Sequence, residues 1–488
     1  MTASRFIWIR KPVQWAGLLL LAVVTLAVGL DGWLSRSLPD LRPWHDGDLL
    51  PDFSWQEATT FDAYLDLEQE LFTRLDRLMR EEFAREESFP LFRYGAEPHP
   101  LRTRFEGDWN RTRVLPATDP KGVFLMVHGL SDSPYSVRAL ALAMNRLGFV
   151  VVALRLPGHG TIPGALDEVD WRDWTTAVAL AAASIRADHP DLPFYFLGYS
   201  TGAPLGLYWA LTRLKAGATA AEMPERMFFL SPALGISPLA RFANLQRVIS
   251  HMSFFRKSRW ASVLPEFDPV KYQSFTKNGA RQLATLLAEV NALLVGLKSD
   301  STVERLPPIT SFQSVVDETV STFDLVDLLY GTIDDPASEL VLFDINRISS
   351  LTPFMSYSPQ RLIEALQRQS ANRWTLTLVS NRGTDTPEVE ARQHTVDAEK
   401  PEATPLPYTW PASLFSLSHV ALPFPPDDPV YGYAYNVDGK TAPTLGNIQI
   451  KGERNVLVLP ASELIRVRSN PFYDYIRKKI IGQLGGTE

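Results

Sequence analysis

A pentapeptide, Gly198-Tyr199-Ser200-Thr201-Gly202, combines a serine with glycines two positions before and two positions after it. This spacing is typical of a strained turn between a strand and a helix, because a side chain at either glycine would crowd the neighbouring backbone. An apolar run, residues 194–197, precedes the turn, and a small-residue apolar segment, residues 203–209, follows it. The order strand, turn, helix favours Ser200 as a nucleophile over a serine that lies in a turn by chance.

A serine hydroxyl is a weak nucleophile at neutral pH, so it needs a base within hydrogen-bond reach and a carboxylate that orients the base. Asp317 directly follows a predicted strand, residues 309–316, at the carboxyl end where parallel sheets place functional groups. Asp324 and Asp327 compete for this role, but they fall in the helix predicted to follow. An acid at position 317 is also typical of a helix cap. We favour the catalytic role because serine triads on parallel sheets run in the chain order serine, acid, histidine.

The candidate base is chosen by chain order and local composition. His394 and His419 are the histidines that remain once those before Ser200, and His251 in a predicted insertion, are set aside. His394 lies in an acidic, polar segment, residues 383–404, which we expect to be an exposed loop. His419 lies in a compact apolar passage, residues 416–423, that is suited to holding an imidazole in place. The sequence therefore favours His419 as the base, with His394 as the alternative.

The tetrahedral intermediate of such a reaction needs two backbone N–H donors. We expect one from Thr201, at the start of the helix after the nucleophile, where the helix dipole adds to the field. We expect the other from Leu130, in the turn after the predicted strand 122–127. His128 and Gly129 would shape that turn, and His159 would be structural. No ligand set at metal-site spacing is present, so we expect neither a metal nor an organic cofactor.

Strand patterns alternate with helix patterns from residue 113 onwards, which predicts an α/β fold with a mostly parallel sheet flanked by helices. We expect a first part of the core at 113–234 and a second part at 306–488. Residues 235–305 interrupt the alternation with no clear strand and are interpreted as an inserted helical lid. Residues 347–418 form a further insertion in the second part.

The N-terminal region has a different composition. Residues 1–11 carry three basic side chains and no acid, and residues 13–30 are almost wholly apolar. We interpret residues 1–30 as an N-terminal transmembrane helix that anchors the protein in the inner membrane, with the catalytic domain outside the cytoplasm. A cleaved signal peptide is the alternative, because residues 27–29 form a small-x-small site. We expect residues 31–52 to be a tether. The rest of the segment, to residue 112, is expected to be a helical extension with a solvated charged face.

Composition excludes several classes of function. The 488-residue chain has 45% hydrophobic residues, enough for a large core, and a net charge of -7, which gives no support for nucleic-acid binding. It contains no cysteine, which excludes disulfides, thiolate metal sites and a cysteine nucleophile. The oligomeric state is left open.

Three passages together resemble a known family. They are GVFLMVHGLSDSPYSVRALALAMNRLGFVVVALRLPGHG from residue 122, FLGYSTGA from residue 196, and the strand that ends at Asp317. They resemble the α/β-hydrolase superfamily, and within it bacterial carboxylesterases, monoacylglycerol lipases and lysophospholipases. The resemblance implies Ser200, Asp317 and His419 as a triad, Leu130 and Thr201 as oxyanion donors, and an acyl ester as substrate. The chain departs from the family in one respect, because the histidine comes some seventy residues after the strand near residue 345.

The expected activity is therefore that of a membrane-anchored serine hydrolase that cleaves carboxylic esters of amphiphilic acyl substrates, such as monoacylglycerols or lysophospholipids. Two alternatives remain. An acyltransferase or thioesterase would use the same triad, and a non-catalytic scaffold would use the fold alone.

Overall fold

A sheet of ten strands among the described residues organises the computed structural model of this protein. The structure describes residues 35–52, 54, 57–86, 89–235, 253–299, 301–348, 359–368, 373–396, 398, 400–447 and 465–486, with isolated positions before residue 35. The strands are β1 (Arg113–Leu115), β2 (Val123–Val127), β3 (Val150–Leu154), β4 (Phe194–Tyr199), β5 (Arg226–Leu230), β6 (Trp260–Ser262), β7 (Phe275–Thr276), β8 (Ile309–Ser314), β9 (Glu339–Phe343), β10 (Thr375–Asn381), β11 (Glu388–His394), β12 (Glu402–Thr409), β13 (Asn436–Val437) and β14 (Lys440–Thr441).

Helices connect these strands and cover both faces of the large sheet. They are α1 (Phe61–Leu78), α2 (Ala84–Glu86), α3 (Arg138–Arg146), α4 (Ala165–Glu168), α5 (Trp171–Asp188), α6 (Gly202–Lys215), α7 (Lys277–Lys298), α8 (Thr322–Leu325), α9 (Gln360–Arg368) and α10 (Tyr473–Gln483).

The large sheet has the strand order β1-β3-β2-β4-β5-β8-β9-β10-β11-β12. The pairs from β3 across to β10 are parallel, and β1, β11 and β12 pair antiparallel at the two ends. Parallel strands place their carboxyl ends at one edge. Residues that follow β2, β4 and β8 therefore meet at that edge, and these are the turn after Val127, Ser200 and the segment that leads to Asp317.

Side chains alternate between two cores along each central strand. In β2, Val123, Leu125 and Val127 belong to one core, together with residues of α5, α6 and α7. Phe124 and Met126 belong to the other core, together with residues of α3 and α10. Because both faces are covered there, the parallel strands β2 to β5 and β8 to β10 are almost wholly buried, as the sequence predicts, whereas the antiparallel end strands β1, β11 and β12 are largely exposed or half-buried.

The N-terminal extension packs on the domain, which corrects the expectation of a tether and shows that the charged face of the helix is not solvated throughout. Trp44 is 1% exposed and lies in a third apolar cluster with residues of α1. Arg155, after β3, pairs with Asp52 at 2.7 Å and with Glu68 of α1 at 2.8 Å, and all three side chains are buried. Buried charges are stable only when paired, so these pairs fix residue 52 and helix α1 to the end of β3.

Two further details of the sequence prediction are wrong, namely the exposed loop at residues 383–404 and the absence of strands from the segment 235–305. Residues 383–404 are not a loop, because β11 and β12 extend the sheet there as an antiparallel pair. The segment 235–305 contains the short antiparallel pair β6 and β7, and helix α7 packs against α6 with Leu286, Val290 and Leu294 in the core. An alternating polar pattern on an edge strand resembles a loop in sequence, because only part of each face is buried.

The predicted membrane segment, residues 13–30, lies outside the described residues apart from Trp15 and Gly29. Among the residues that are described, α7 has the length and apolar composition to cross a membrane, and a third of its most apolar stretch is buried in the fold. A core helix meets the same criteria, and the contacts of α7 with α6 are those of a core helix.

Candidate active site

Ser200 occupies a strained turn between β4 and α6. Its φ is +51°, in the left-handed region that a non-glycine residue adopts only at a cost. A Cβ on Gly198 would lie 2.5 Å from the Ala203 nitrogen, and a Cβ on Gly202 would collide with the Val127 carbonyl oxygen. The two glycines therefore let the turn close against β2 and the start of α6. The Ser200 N–H donates to the Leu230 carbonyl at 2.9 Å, which ties the turn to β5.

The imidazole of His419 connects the serine to the carboxylate. Its Nε2 lies 3.0 Å from Oγ of Ser200, and its Nδ1 lies 3.0 Å from Oδ2 of Asp317. The ring is 5% exposed, so little water competes for either nitrogen. With the proton on Nδ1, the ring donates to Asp317 and its Nε2 accepts from the serine hydroxyl. This is the tautomer that a general base needs.

Both oxygens of Asp317 are engaged. Oδ1 accepts from the N–H groups of Thr319 and Val320 at 2.8 and 3.0 Å, and Oδ2 accepts from Nε2 of Gln313 at 3.0 Å as well as from His419. The side chain therefore caps the turn after β8 and orients the imidazole at the same time. The sequence left a helix cap and a catalytic acid as alternative roles for Asp317, and the geometry of the structure is compatible with both.

The competing residues lie in other places. Asp324 is in α8 and Asp327 in the helical turn Val326–Tyr330, seven and ten residues beyond Asp317. His394 ends β11, and its Nε2 is 2.8 Å from the Ala398 carbonyl oxygen. The structure thus brings together Ser200, Asp317 and His419.

Serine side chains that the sequence reasoning missed fix the loop that carries His419. Ser314, the last residue of β8, donates from Oγ to the Leu417 carbonyl at 2.9 Å, and Ser231, directly after β5, donates to the His419 carbonyl at 3.4 Å. Ser418 donates to the Val467 carbonyl. Their positions in the sequence could have indicated this role, because Ser314 is the last residue of a strand and Ser231 directly follows one, at the edge where the nucleophile lies.

The two predicted oxyanion donors border the same space. Leu130 and Thr201 both line a cleft with Ser200 and His419. Neither backbone N–H donates to an acceptor in the part of the chain that the structure describes. Helix α6 begins at Gly202, directly after Thr201, so its N-terminal dipole points at this space.

His128 and His159 are buried and hold the turns around the site. Burial keeps the pKa of His128 well below its usual range and lowers the pKa of His159 to about 4, so both rings are neutral. His128 donates from Nδ1 to the Gly129 carbonyl at 2.8 Å and accepts at Nε2 from the Leu156 N–H at 3.0 Å. It thereby joins the turn after β2 to the turn after β3, as a structural residue would.

The cleft has a volume of about 460 Å³, large enough for a small acyl ester. Its walls come from the turns after β2 and β4, from the segment 262–283, from the loop of His419 and from the C-terminal segment before α10. Within the described ranges, no group of three or more His, Asp and Glu side chains could hold a metal ion. The absence of a cofactor stays a prediction from the sequence.

Comparison with known proteins shows that part of the chain is similar to a known family. Residues 118–315 match the family Hydrolase_4, described as serine aminopeptidase, S33. A thermostable monoacylglycerol lipase of Bacillus sp. (strain H-257) is 34% identical over 91 residues, which are 19% of this chain and 35% of that protein. A monoacylglycerol lipase of Mycolicibacterium smegmatis is 36% identical over 93 residues, which are 18% of this chain and 31% of that protein. The matches thus span about a third of these relatives.

Solved structures overlap with a larger part of the chain. One, described with the metagenome-derived lipolytic enzymes LipS and LipT, covers 54% of this chain and 98% of its own, with a TM-score of 0.37 and 19% identity. A monoacylglycerol lipase of Paleococcus ferrophilus covers 48% of this chain and 88% of its own, with a TM-score of 0.35 and 16% identity.

The mostly parallel sheet with flanking helices, and the strained serine turn between β4 and α6, define an α/β-hydrolase fold. Within that class, the segment 118–315 resembles the Hydrolase_4 family, whose model it matches. Asp317 lies just beyond the matched segment and His419 about a hundred residues beyond it, so the family match does not itself assign the acid or the base.

Proposed function

We propose that this protein is a serine hydrolase that cleaves carboxylic esters through an acyl-enzyme intermediate. The observation that carries the proposal is the position of the His419 ring, 3.0 Å from the serine hydroxyl on one side and 3.0 Å from the Asp317 carboxylate on the other. A single imidazole in contact with both groups is the geometry that base-assisted attack by serine requires.

The chemistry follows from these contacts. His419 Nε2 takes the proton from Oγ of Ser200 as the oxygen attacks the ester carbonyl, and Asp317 stabilises the imidazolium that forms. The N–H groups of Leu130 and Thr201 stabilise the negative charge on the carbonyl oxygen. The imidazolium then protonates the leaving alcohol. Water, activated by the same ring, hydrolyses the acyl-enzyme in a second cycle.

The proposed substrate is an amphiphilic acyl ester. Apolar side chains of the segment 262–283 and of neighbouring loops line the cleft beside the serine. They are Leu264, Phe275, Ala280, Leu283, Val320 and Phe424. This segment would act as the lid, in which β6, β7 and the start of α7 cover the acyl chain. The monoacylglycerol lipases that resemble part of the chain act on esters of this kind, as their names state.

We further propose that residues 1–30 anchor the enzyme in the inner membrane, with the catalytic domain outside the cytoplasm. The support is the apolar run at 13–30, preceded by basic residues. A fusion of residues 1–60 to alkaline phosphatase, which is active only outside the cytoplasm, tests the orientation. Recovery in the membrane fraction after an alkaline wash separates an anchor from a cleaved signal peptide.

A fluorophosphonate probe tests the catalytic proposal directly. We expect the wild type to be labelled, Ser200→Ala not to be labelled, and His419→Ala to lose both labelling and ester hydrolysis. His394→Ala is the matched control and should retain both. A correctly folded wild type without labelling would instead favour a non-catalytic scaffold, and release of the acyl group to an alcohol or thiol instead of water would favour a transferase.

A further inference from the structure

The predicted oxyanion donor Leu130 lies in a four-residue turn, residues 129–132, that follows β2. The Asp132 N–H donates to the Gly129 carbonyl at 3.2 Å and closes the turn, and Nδ1 of His128 donates to the same carbonyl at 2.8 Å. The Gly129 carbonyl and the Leu130 N–H belong to one planar trans peptide unit, so they point in opposite directions. The bonds to the Gly129 carbonyl therefore set the direction of the Leu130 N–H.

This turn contains a strained residue and packs against the nucleophile. The φ of Ser131 is +63°, in the left-handed region, and a residue other than glycine persists there only where its surroundings determine it. A Cβ on Gly129 would lie 2.9 Å from Oδ2 of Asp132 and 3.0 Å from Cβ of Ser200. A shift of the turn would therefore move its donor relative to the serine.

Two contacts from the segment 262–283 hold the turn. The ammonium of Lys271 lies 3.3 Å from Oδ1 of Asp132, and the N–H of Tyr272 donates to the Ser131 carbonyl at 2.9 Å. The Lys271 side chain is 24% exposed and that of Asp132 is 7% exposed, so solvent screens this ion pair less than a pair on an open surface. Burial raises the pKa of Asp132 and the charge of Lys271 opposes that shift, so the lysine favours the ionised carboxylate.

The backbone that bears Lys271 is itself fixed by other parts of the fold. The carboxylate of the buried Asp268 accepts from the Lys271 N–H at 3.1 Å and from the Tyr431 hydroxyl at 2.7 Å. The Asp268 carbonyl accepts from Nη1 of Arg93, in the N-terminal extension, at 3.1 Å. The ammonium of Lys271 therefore extends from a backbone that is attached on two sides, so it holds the turn in one position.

We propose that Lys271 is a positioning residue for the oxyanion hole, because its ion pair with Asp132 holds the turn that directs the Leu130 N–H at the reacting carbonyl. This inference rests on the proposed ester hydrolase function. The lysine acts through the aspartate, and the aspartate acts through the Gly129 carbonyl, so the ammonium need not touch the substrate. A displaced oxyanion donor weakens binding of the transition state more than binding of the ester.

Lys271→Met keeps an unbranched side chain and removes the charge. We expect kcat/KM to fall by about 10–100-fold, chiefly through kcat, because loss of one oxyanion donor costs about 100–1,000-fold and the turn keeps its other bonds. The loss should be similar for p-nitrophenyl octanoate and for octanoyl glycerol, since both esters form the same oxyanion. An unchanged kcat/KM, or a loss confined to one ester as expected for a lysine that touches the alcohol, would overturn the proposal.

Two further lysine variants serve as controls. Lys271→Arg keeps the charge and should restore kcat/KM to within about tenfold of the wild type, the scale of one charged hydrogen bond. Lys257→Met removes a cation that pairs with Asp40 and is not among the cleft-lining residues that the structure describes, and it should leave kcat/KM unchanged. A loss in Lys257→Met as large as that in Lys271→Met would contradict a specific role for the pair with Asp132.

The partner variant Asp132→Asn tests whether the two residues act as one unit. It should lower kcat/KM by a similar factor, and the double variant Asp132→Asn/Lys271→Met should lose no more than the worse single variant. Losses that multiply in the double variant would show that the lysine does not act through the aspartate.

A transition-state analogue separates a displaced donor from a general loss of structure. Octyl trifluoromethyl ketone forms a tetrahedral adduct with the serine oxygen, and its oxyanion needs the same N–H donors. Its Ki should therefore rise in Lys271→Met by about the factor by which kcat/KM falls. An unchanged Ki beside a lowered kcat/KM would overturn the proposal.

Hydrogen exchange separates a failure of this inference from a failure of the proposed function. If the wild type hydrolyses no ester and Ser200 is not labelled by the fluorophosphonate probe, the hydrolase proposal fails. Amide exchange in peptides that span residues 129–132, measured by mass spectrometry, does not depend on activity. Faster exchange in Lys271→Met than in the wild type and in Lys257→Met would still show that Lys271 holds the turn, and equal exchange in all three would overturn it.

Discussion

Nε2 of His419 lies 3.0 Å from Oγ of Ser200, although 219 positions separate the two residues in the chain. The contact exists because β4 and β8 end at the same edge of the sheet, and because Ser231 and Ser314 at that edge hold the loop of residue 419 by its backbone carbonyls. The long insertion between β9 and this loop adds β10, β11 and β12 to the far end of the sheet. It therefore does not separate the base from the nucleophile.

Asp317→Asn should lower kcat by roughly three to four orders of magnitude, with a small change in KM. An amide at position 317 would favour the wrong tautomer of His419, because its NH₂ group donates where the carboxylate accepted. Ester hydrolysis at saturating substrate is the measurement. Asp324→Asn and Asp327→Asn are matched controls from the next two helical turns, and a loss as large in either would assign the acid to that residue.

Gly202→Ala should destabilise the protein and suppress activity together. The added methyl group would collide with the Val127 carbonyl oxygen, and strain of this kind in a packed core costs about 1–3 kcal/mol. Urea unfolding gives the change in free energy. Gly296→Ala in α7 is the control, since no described atom beyond its own stretch of helix lies within 4 Å of the new methyl group, and it should stabilise by about 0.5–1 kcal/mol. A tolerated Gly202→Ala would contradict the close approach of the serine turn to β2.

Arg155→Met should destabilise the protein by about 3–5 kcal/mol, because it removes the buried cation that pairs with the carboxylates of Asp52 and Glu68. Urea unfolding of the full chain measures the loss. Arg213→Met, which breaks an exposed pair with Glu222, should cost far less, because solvent screens the pair. Similar costs for the two variants would show that the N-terminal extension is not part of the cooperative fold.

Stability should fall as the pH is lowered from about 6.5 towards 4, the range set by His159. Burial lowers the pKa of His159 to about 4, below the ordinary value of 6.5, so the unfolded chain binds the proton first. The stability that the neutral His159 contributes to the folded state is complete above pH 6.5 and is lost as the pH falls towards 4. Urea unfolding at several pH values in this range gives the free energy of unfolding as a function of pH. Its slope should be smaller in His159→Gln than in the wild type.

The catalytic edge of the fold was predictable from sequence because its signals are local. Gly198 and Gly202 mark a turn in which a Cβ would meet backbone, and the apolar runs of β2 to β5 mark strands covered on both faces. The packing of Trp44 and the burial of Glu68 were not predictable, since each depends on partners far along the chain. In sequence, a buried glutamate in a helical pattern looks the same as a solvated one. The burial of Glu68 becomes apparent only when the fold places Arg155 beside it.

By itself, the sequence determined the order of the parallel strands and of the helices between them, the strained serine turn and the small set of acids and histidines that chain order allowed, because these depend on sterics and periodicity over a few residues. Only the tertiary structure decided that Asp317 caps a turn and orients His419 at once, that β11 and β12 lengthen the sheet, and that Lys271 pairs with Asp132. Such relationships arise where crossovers bring distant segments to one edge of a parallel sheet, and no local pattern encodes them.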